Sequence, residues 1–109
     1  MDTFESDRDF QVWSYGVGHR QLLIRSNKSD LLKTRINVHF KDVSFMLLDT
    51  RLHGLKIAIA THIDGALEKM ISLNLKNGHV FQLESAGKVN YVQAAAFAFS
   101  EDEKNYYDD

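Results

Sequence analysis

The chain has 109 residues, 44% hydrophobic and 26% charged, with five histidines, no cysteine and no proline. That length is one ordinary domain, so residues 1–109 read as a single domain able to build its own core. The absence of cysteine excludes disulfide scaffolds, thiolate metal sites and cysteine nucleophiles, and a formal net charge of −2 is too small for a disordered chain.

Charge is spread unevenly. Asp2, Glu5, Asp7 and Asp9 against Arg8 give residues 1–9 a charge of −3. Glu101, Asp102, Glu103, Asp108 and Asp109 against Lys104 give residues 100–109 a charge of −4, which leaves +5 on the body between them. Such ends are solvated and partly frayed in most domains. On a basic body they also leave a surface suited to an acidic partner. No apolar run approaches the roughly 20 residues of a membrane span. Residues 1–10 are acidic and polar, the reverse of a secretory leader. A cytoplasmic protein, with no membrane contact, is the expectation.

In chain order, residues 10–16 and 19–26 read as strands around Val17-Gly18, a turn that sets Trp13 against Leu22 and Tyr15 beside Arg20. Residues 27–33 could hold one helical turn with Ser29 as its N-cap. Ile36, Val38 and Phe40 alternate with Arg35, Asn37 and His39, the mark of a half-buried strand. Val43, Phe45 and Leu47 continue the pattern. A loop at Lys41-Asp42 would pair Phe40 with Val43, Val38 with Phe45 and Ile36 with Leu47, all on one face. Leu55, Ile57 and Ile59 mark another strand, and residues 61–70, containing Asp64-Gly65, a crossover or short helix.

Further on, a three-residue loop at Lys76-Asn77-Gly78, with Gly78 in the left-handed position of a bulge, would set Leu73 against Phe81 and Ile71 against Leu83. The same device at Ser85-Ala86-Gly87 would pair Leu83 with Val89, Phe81 with Tyr91 and Glu84 with Lys88, completing a three-stranded meander. Residues 89–99 fit both periods: Tyr91, Gln93, Ala95, Phe97 and Phe99 alternate, while Ala94, Ala95 and Ala96 favour helix. The fold class is therefore all-β, an antiparallel sandwich or small closed barrel of seven to eight strands. If residues 92–104 are instead a short C-terminal helix, the element count resembles a pleckstrin-homology-type barrel.

Catalytic chemistry finds no pattern here. The serines have no nucleophile-elbow context, no glycine cluster resembles a phosphate loop, and no catalytic residue or cofactor is expected. A metal site could draw on His39, His53, His62 and Asp64, of which His62 and Asp64 are two apart, provided three or four converge. His19 and His79 read as turn residues. Binding has more support. Trp13 and Tyr15 share a strand face opposite Leu22 and Arg20, and Phe45-Met46-Leu47-Leu48 is apolar on both faces, so Met46 and Leu48 are candidates for a contact surface. The basic residues of the body lack interleaved exposed aromatics, which disfavours nucleic acid.

The stretch Val12-Trp13-Ser14-Tyr15-Gly16-Val17-Gly18-His19, followed by Leu22-Leu23-Ile24-Arg25-Ser26, resembles a group of small bacterial proteins that form a domain family of unknown function. Thr34-Arg35-Ile36-Asn37-Val38 and Gly54-Leu55-Lys56-Ile57 are similar to the same group. The resemblance covers about the first half of the chain. It implies a bacterial cytoplasmic protein and carries no activity and no site. The expected function is a non-catalytic protein–protein interaction module, of toxin-neutralising or secretion-accessory type, acting on a protein partner or as a homo-oligomer. The alternative is a small-ligand or metal-binding β-barrel.

Overall fold

Alternating apolar and polar residues are realised as eight antiparallel strands in a computed structural model that describes residues 3–72 and 78–108. They are β1 (Phe4–Gly16), β2 (Gln21–Ser26), β3 (Arg35–Lys41), β4 (Phe45–Leu47), β5 (Arg51–Ile59), β6 (His79–Ser85), β7 (Lys88–Ala94) and β8 (Ala96–Asp102), with helix α1 (Gly65–Ser72) between β5 and β6. The strands form one sheet in the order β4-β7-β6-β5-β1-β2-β3-β8, which does not close into a barrel. The all-β architecture is therefore the expected one, with eight strands. No helix among the described residues is long and apolar enough to cross a membrane.

The two ends of the sheet are tied together by the chain. Edge strand β4 continues from β3 at the opposite end, and edge strand β8 continues from β7. At this corner Ser44 N donates to Gln93 O, Ala95 N to Lys41 O and Val43 N to Arg20 O, at 2.8–2.9 Å. The inner faces meet in a core that includes Leu22, Ile24, Val38, Ile57, Leu83 and Val92, all fully buried. Phe40, Phe81 and Phe97, from β3, β6 and β8, sit with ring centroids 5.2–5.7 Å apart, bringing strands from the two ends of the sheet into contact. Each such ring removes enough apolar surface from water to contribute roughly 1.5–3 kcal/mol. At the other end of the core, Phe4 packs on Phe10 and Phe99. Arg8 there donates to the carbonyl and hydroxyl of Thr34 and lies 3.7 Å from Glu101.

Several expected pairings are corrected. Lys41-Asp42 is no hairpin: β3 pairs with β2 and β8, and β4 with β7. Asp42 takes a positive φ of 56° and turns the chain out of the β3 ladder toward β7. Ile71 belongs to α1, so its pairing with Leu83 does not occur, and Leu83 faces Ile57 and Asn90 instead. The expected partner Leu73 lies outside the described residues. The β6–β7 turn holds two residues rather than three, because Ala86 (φ 49°) and Gly87 (φ 77°) both adopt the positive φ of a type I′ turn. The register moves by one: Leu83 meets Asn90, Glu84 meets Val89 and Ser85 meets Lys88. Residues 92–104 form no helix, since Gln93 and Phe97 are claimed by ladders to β6 and β3 that outweigh the alanine propensity.

Local signals at the helix fare better. Asp64 Oδ1 accepts from Ala66 N, capping α1, whose Leu67 and Ile71 are buried. Ser29 caps no helix; its Oγ accepts from Leu31 N and Leu32 N in a turn.

Two substitutions test this packing. Gly78 has φ +122°, and a Cβ there would lie 2.5 Å from Ala94 O, so Gly78→Ala should cost about 1–3 kcal/mol in urea unfolding. Gln93 is fully buried, and neither polar atom of its side chain has a partner among the described residues. Gln93→Met should therefore raise stability by about 1 kcal/mol, whereas a loss would mean that the amide is satisfied.

Candidate functional site

The outer face of β1, β2 and β3 carries the densest polar chemistry of the described residues. The same alternation that puts Ile36, Val38 and Phe40 inward turns Arg35, Asn37 and His39 outward. On β2 it turns out Leu23 and Arg25, whose ladder partners are His39 and Asn37. On β1 a bulge between Val12 and Ser14 leaves Trp13 as the extra residue. This corrects the expected register: Ser14 faces Leu23 and Tyr15 faces Leu22, so Trp13 has no ladder partner on β2. The Arg25 guanidinium carbon lies 5.1 Å from the centroid of the Trp13 ring.

The C-terminal residues fold over this face. Arg35 is 1% exposed, and four of the five donors of its planar fork are used. Nε and Nη2 donate to the two carboxylate oxygens of Asp102 at 2.9 and 3.2 Å, and Nη1 donates to the carbonyls of Asn105 and Asp108 at 3.0 and 2.9 Å. Asn37 bridges the arginines, donating to Asp102 at 2.8 Å while accepting from Arg25 Nε at 2.6 Å. Lys28 Nζ donates to the Glu103 carbonyl, and the ring of Tyr106 stands edge-on to Trp13 at 4.9 Å. Trp13, Leu23, Arg25, His39, Tyr106 and Tyr107 are among the walls of an open groove of about 460 Å³. Tyr107, at 91% exposure, stands at its rim.

Two groups here titrate away from their ordinary values. The Asp102 carboxyl is held well below the usual carboxylate range, chiefly by its hydrogen bond from Arg35, helped by Lys104 N and Asn37 and opposed by burial. The His39 imidazole is pushed below its ordinary value by burial first, then by the charges of Arg25 and Lys41. A neutral ring at neutral pH follows, able both to donate and to accept.

The residues singled out from the sequence do not form one site. Trp13 lies in the groove. Tyr15 is two residues along β1 and 37% exposed, while Arg20 pairs with Asp42 in the neighbouring turn. Met46, 39% exposed, sits on edge strand β4 opposite Val92, outside the groove, and Leu48 is half-buried against the core. Of the proposed metal ligands, His39 is on this face, His53 Nδ1 meets Asp9 at 3.1 Å, His62 is exposed, and Asp64 caps α1. Among the described residues no three such side chains group in a way that could hold a metal ion. Asp102 and Tyr106 escaped the sequence reading as site residues. The alternation of Arg35, Asn37 and His39 gave their face, but the tail that covers it is distant in sequence.

No family model, curated protein or solved structure matches the chain.

The unfolded Asp102 carboxyl takes up its proton near pH 4, whereas the folded one does so only at lower pH. Its contribution to stability is thus complete above the ordinary range and is lost as pH falls toward the folded value. Thermal unfolding should show the native chain losing stability between about pH 5 and 2 more steeply than Asp102→Asn, which should already be destabilised at pH 7. Parallel profiles would remove the Arg35–Asp102 pair as the acid-sensitive contact.

Proposed function

We propose that this domain is a non-catalytic protein-interaction module whose partner docks on the outer face of β1–β3, over Trp13 and the two C-terminal tyrosines, which the buried Arg25 supports from beneath. One observation carries the reading: Trp13 and the exposed rings of Tyr106 and Tyr107 border an open groove on the outer face of the sheet, with the buried Arg25 guanidinium packed against the indole. These three residue types dominate the energetics of protein interfaces, because each offers a large contact area with a polar end. The parts are also held in place before a partner arrives. Arg25 is fixed by Asn37 and Trp13 by Tyr106, so little side-chain entropy remains to be lost on binding.

A photo-crosslinking amino acid at Tyr107, in the full chain expressed in the cells that produce it, tests the proposal. Irradiation should give one discrete adduct with another protein, and the same probe at Thr61, exposed before α1, should give none. No adduct at position 107, or the same adducts from both positions, would dismiss this face as the interface.

A further inference from the structure

Tyr106 also borders a second, smaller pocket, of about 270 Å³, between β1, the end of β2 and β5. Its apolar wall is Phe10 and Leu52, both buried core residues. The rest is polar and unbalanced in charge. Arg25, Lys28 and Arg51 line it against a single carboxylate, Asp9, which is already engaged with His53 Nδ1 at 3.1 Å. Arg51 makes no ion pair or side-chain hydrogen bond among the described residues, so its five donors are unspent. Lys28 spends one of three donors on the Glu103 carbonyl.

Asn27 supplies an independent observation. It lines the same pocket, and both polar atoms of its side chain are buried with no hydrogen-bond partner among the described residues. A buried amide left in that state costs free energy and calls for a partner, such as a bound group. Rotating the side chain toward the pocket breaks no existing hydrogen bond, since it has none to break.

From this arrangement we infer that the pocket binds a small oxyanion, a carboxylate or phosphate group. Arg51 and Lys28 supply the charge, and the Asn27 amide donates the orienting hydrogen bond. Arg51 can grip two oxygens at once with its planar fork, as carboxylates and phosphates require. Arg25, turned toward Asn37 and Trp13, adds positive potential from behind. The volume suits a single anionic group with a short attached chain, below the size of ordinary cofactor pockets.

Nuclear magnetic resonance on the labelled full chain reads this directly, with sodium phosphate and sodium acetate titrated separately against sodium chloride at equal ionic strength. Saturable shifts of the Asn27 side-chain amide and of Arg51 Nε–H are expected, and the arm that saturates at lower concentration identifies the preferred oxyanion. Arg51→Gln should weaken binding about ten-fold, the usual loss for a charge-assisted hydrogen bond. Asn27→Ala should weaken it as well, while Lys56→Gln, outside the pocket, should leave it unchanged. Shifts no larger than those in chloride, or shifts that Arg51→Gln and Lys56→Gln reduce equally, would overturn the assignment.

Discussion

The contact of Phe40, Phe81 and Phe97 is the constraint on which the molecule depends. β6 and β3 are four places apart in the sheet order, so their side chains can touch only if the sheet bends back on itself. The chain makes that bend covalently, running β3 into β4 and β7 into β8 around one hydrogen-bonded corner. Short connections, Asp42-Val43-Ser44 with a positive-φ Asp42 and the single residue Ala95, complete the turn. With the sheet curled, its inner face becomes a dry core, and the outward residues of β1–β3 are left as a single curved polar surface.

That surface explains the charge distribution along the chain. The acidic C-terminal run is partly neutralised by the basic body: Arg35 takes the Asp102 carboxylate and two tail carbonyls, and Lys28 takes a third. A buried arginine is tolerable only when its donors are matched, and here four of its hydrogen bonds reach the end of β8 and the tail. The same network sets the position of Tyr106, and through it the exposure of Trp13. One buried, ion-paired arginine on β3 therefore connects the stability of the C-terminal residues to the shape of both the groove and the adjoining pocket. Strand β1 is likewise ordered from Phe4 because its apolar residues belong to the core and its acidic ones face outward.

The legible part of the fold was local. Period-two alternation placed β3 and β5, residues 61–70 read as a crossover or short helix where α1 forms, and Ser85-Ala86-Gly87 marked a tight turn. Registers were less legible, because a single residue in a turn moves every pair. At Ser85-Ala86-Gly87 the three-residue loop kept Leu83 opposite an apolar partner, yet both central residues accept positive φ, so the shorter turn forms and Leu83 meets Asn90. Asn90 is accommodated because its amide donates to Leu83 O and accepts from Asp49 N, contacts that no alternation pattern announces.

The sequence by itself determined the β-rich class, the inward and outward faces of β2 and β3, and the excess of acid at both ends, because these depend on residues one or two apart. Tertiary structure alone decided which strands are neighbours beyond the β1–β2 and β6–β7 hairpins, that residues 92–104 extend rather than coil, and that Trp13, Arg25, Arg35, Asp102 and Tyr106 share one face. Those partners lie up to about ninety residues apart, and they meet because β1, β2, β3 and β8 are consecutive strands of the sheet, with Asp102 directly opposite Arg35. Local preference carries no information about such a meeting, since its free energy arises from surfaces that touch only after the chain has folded.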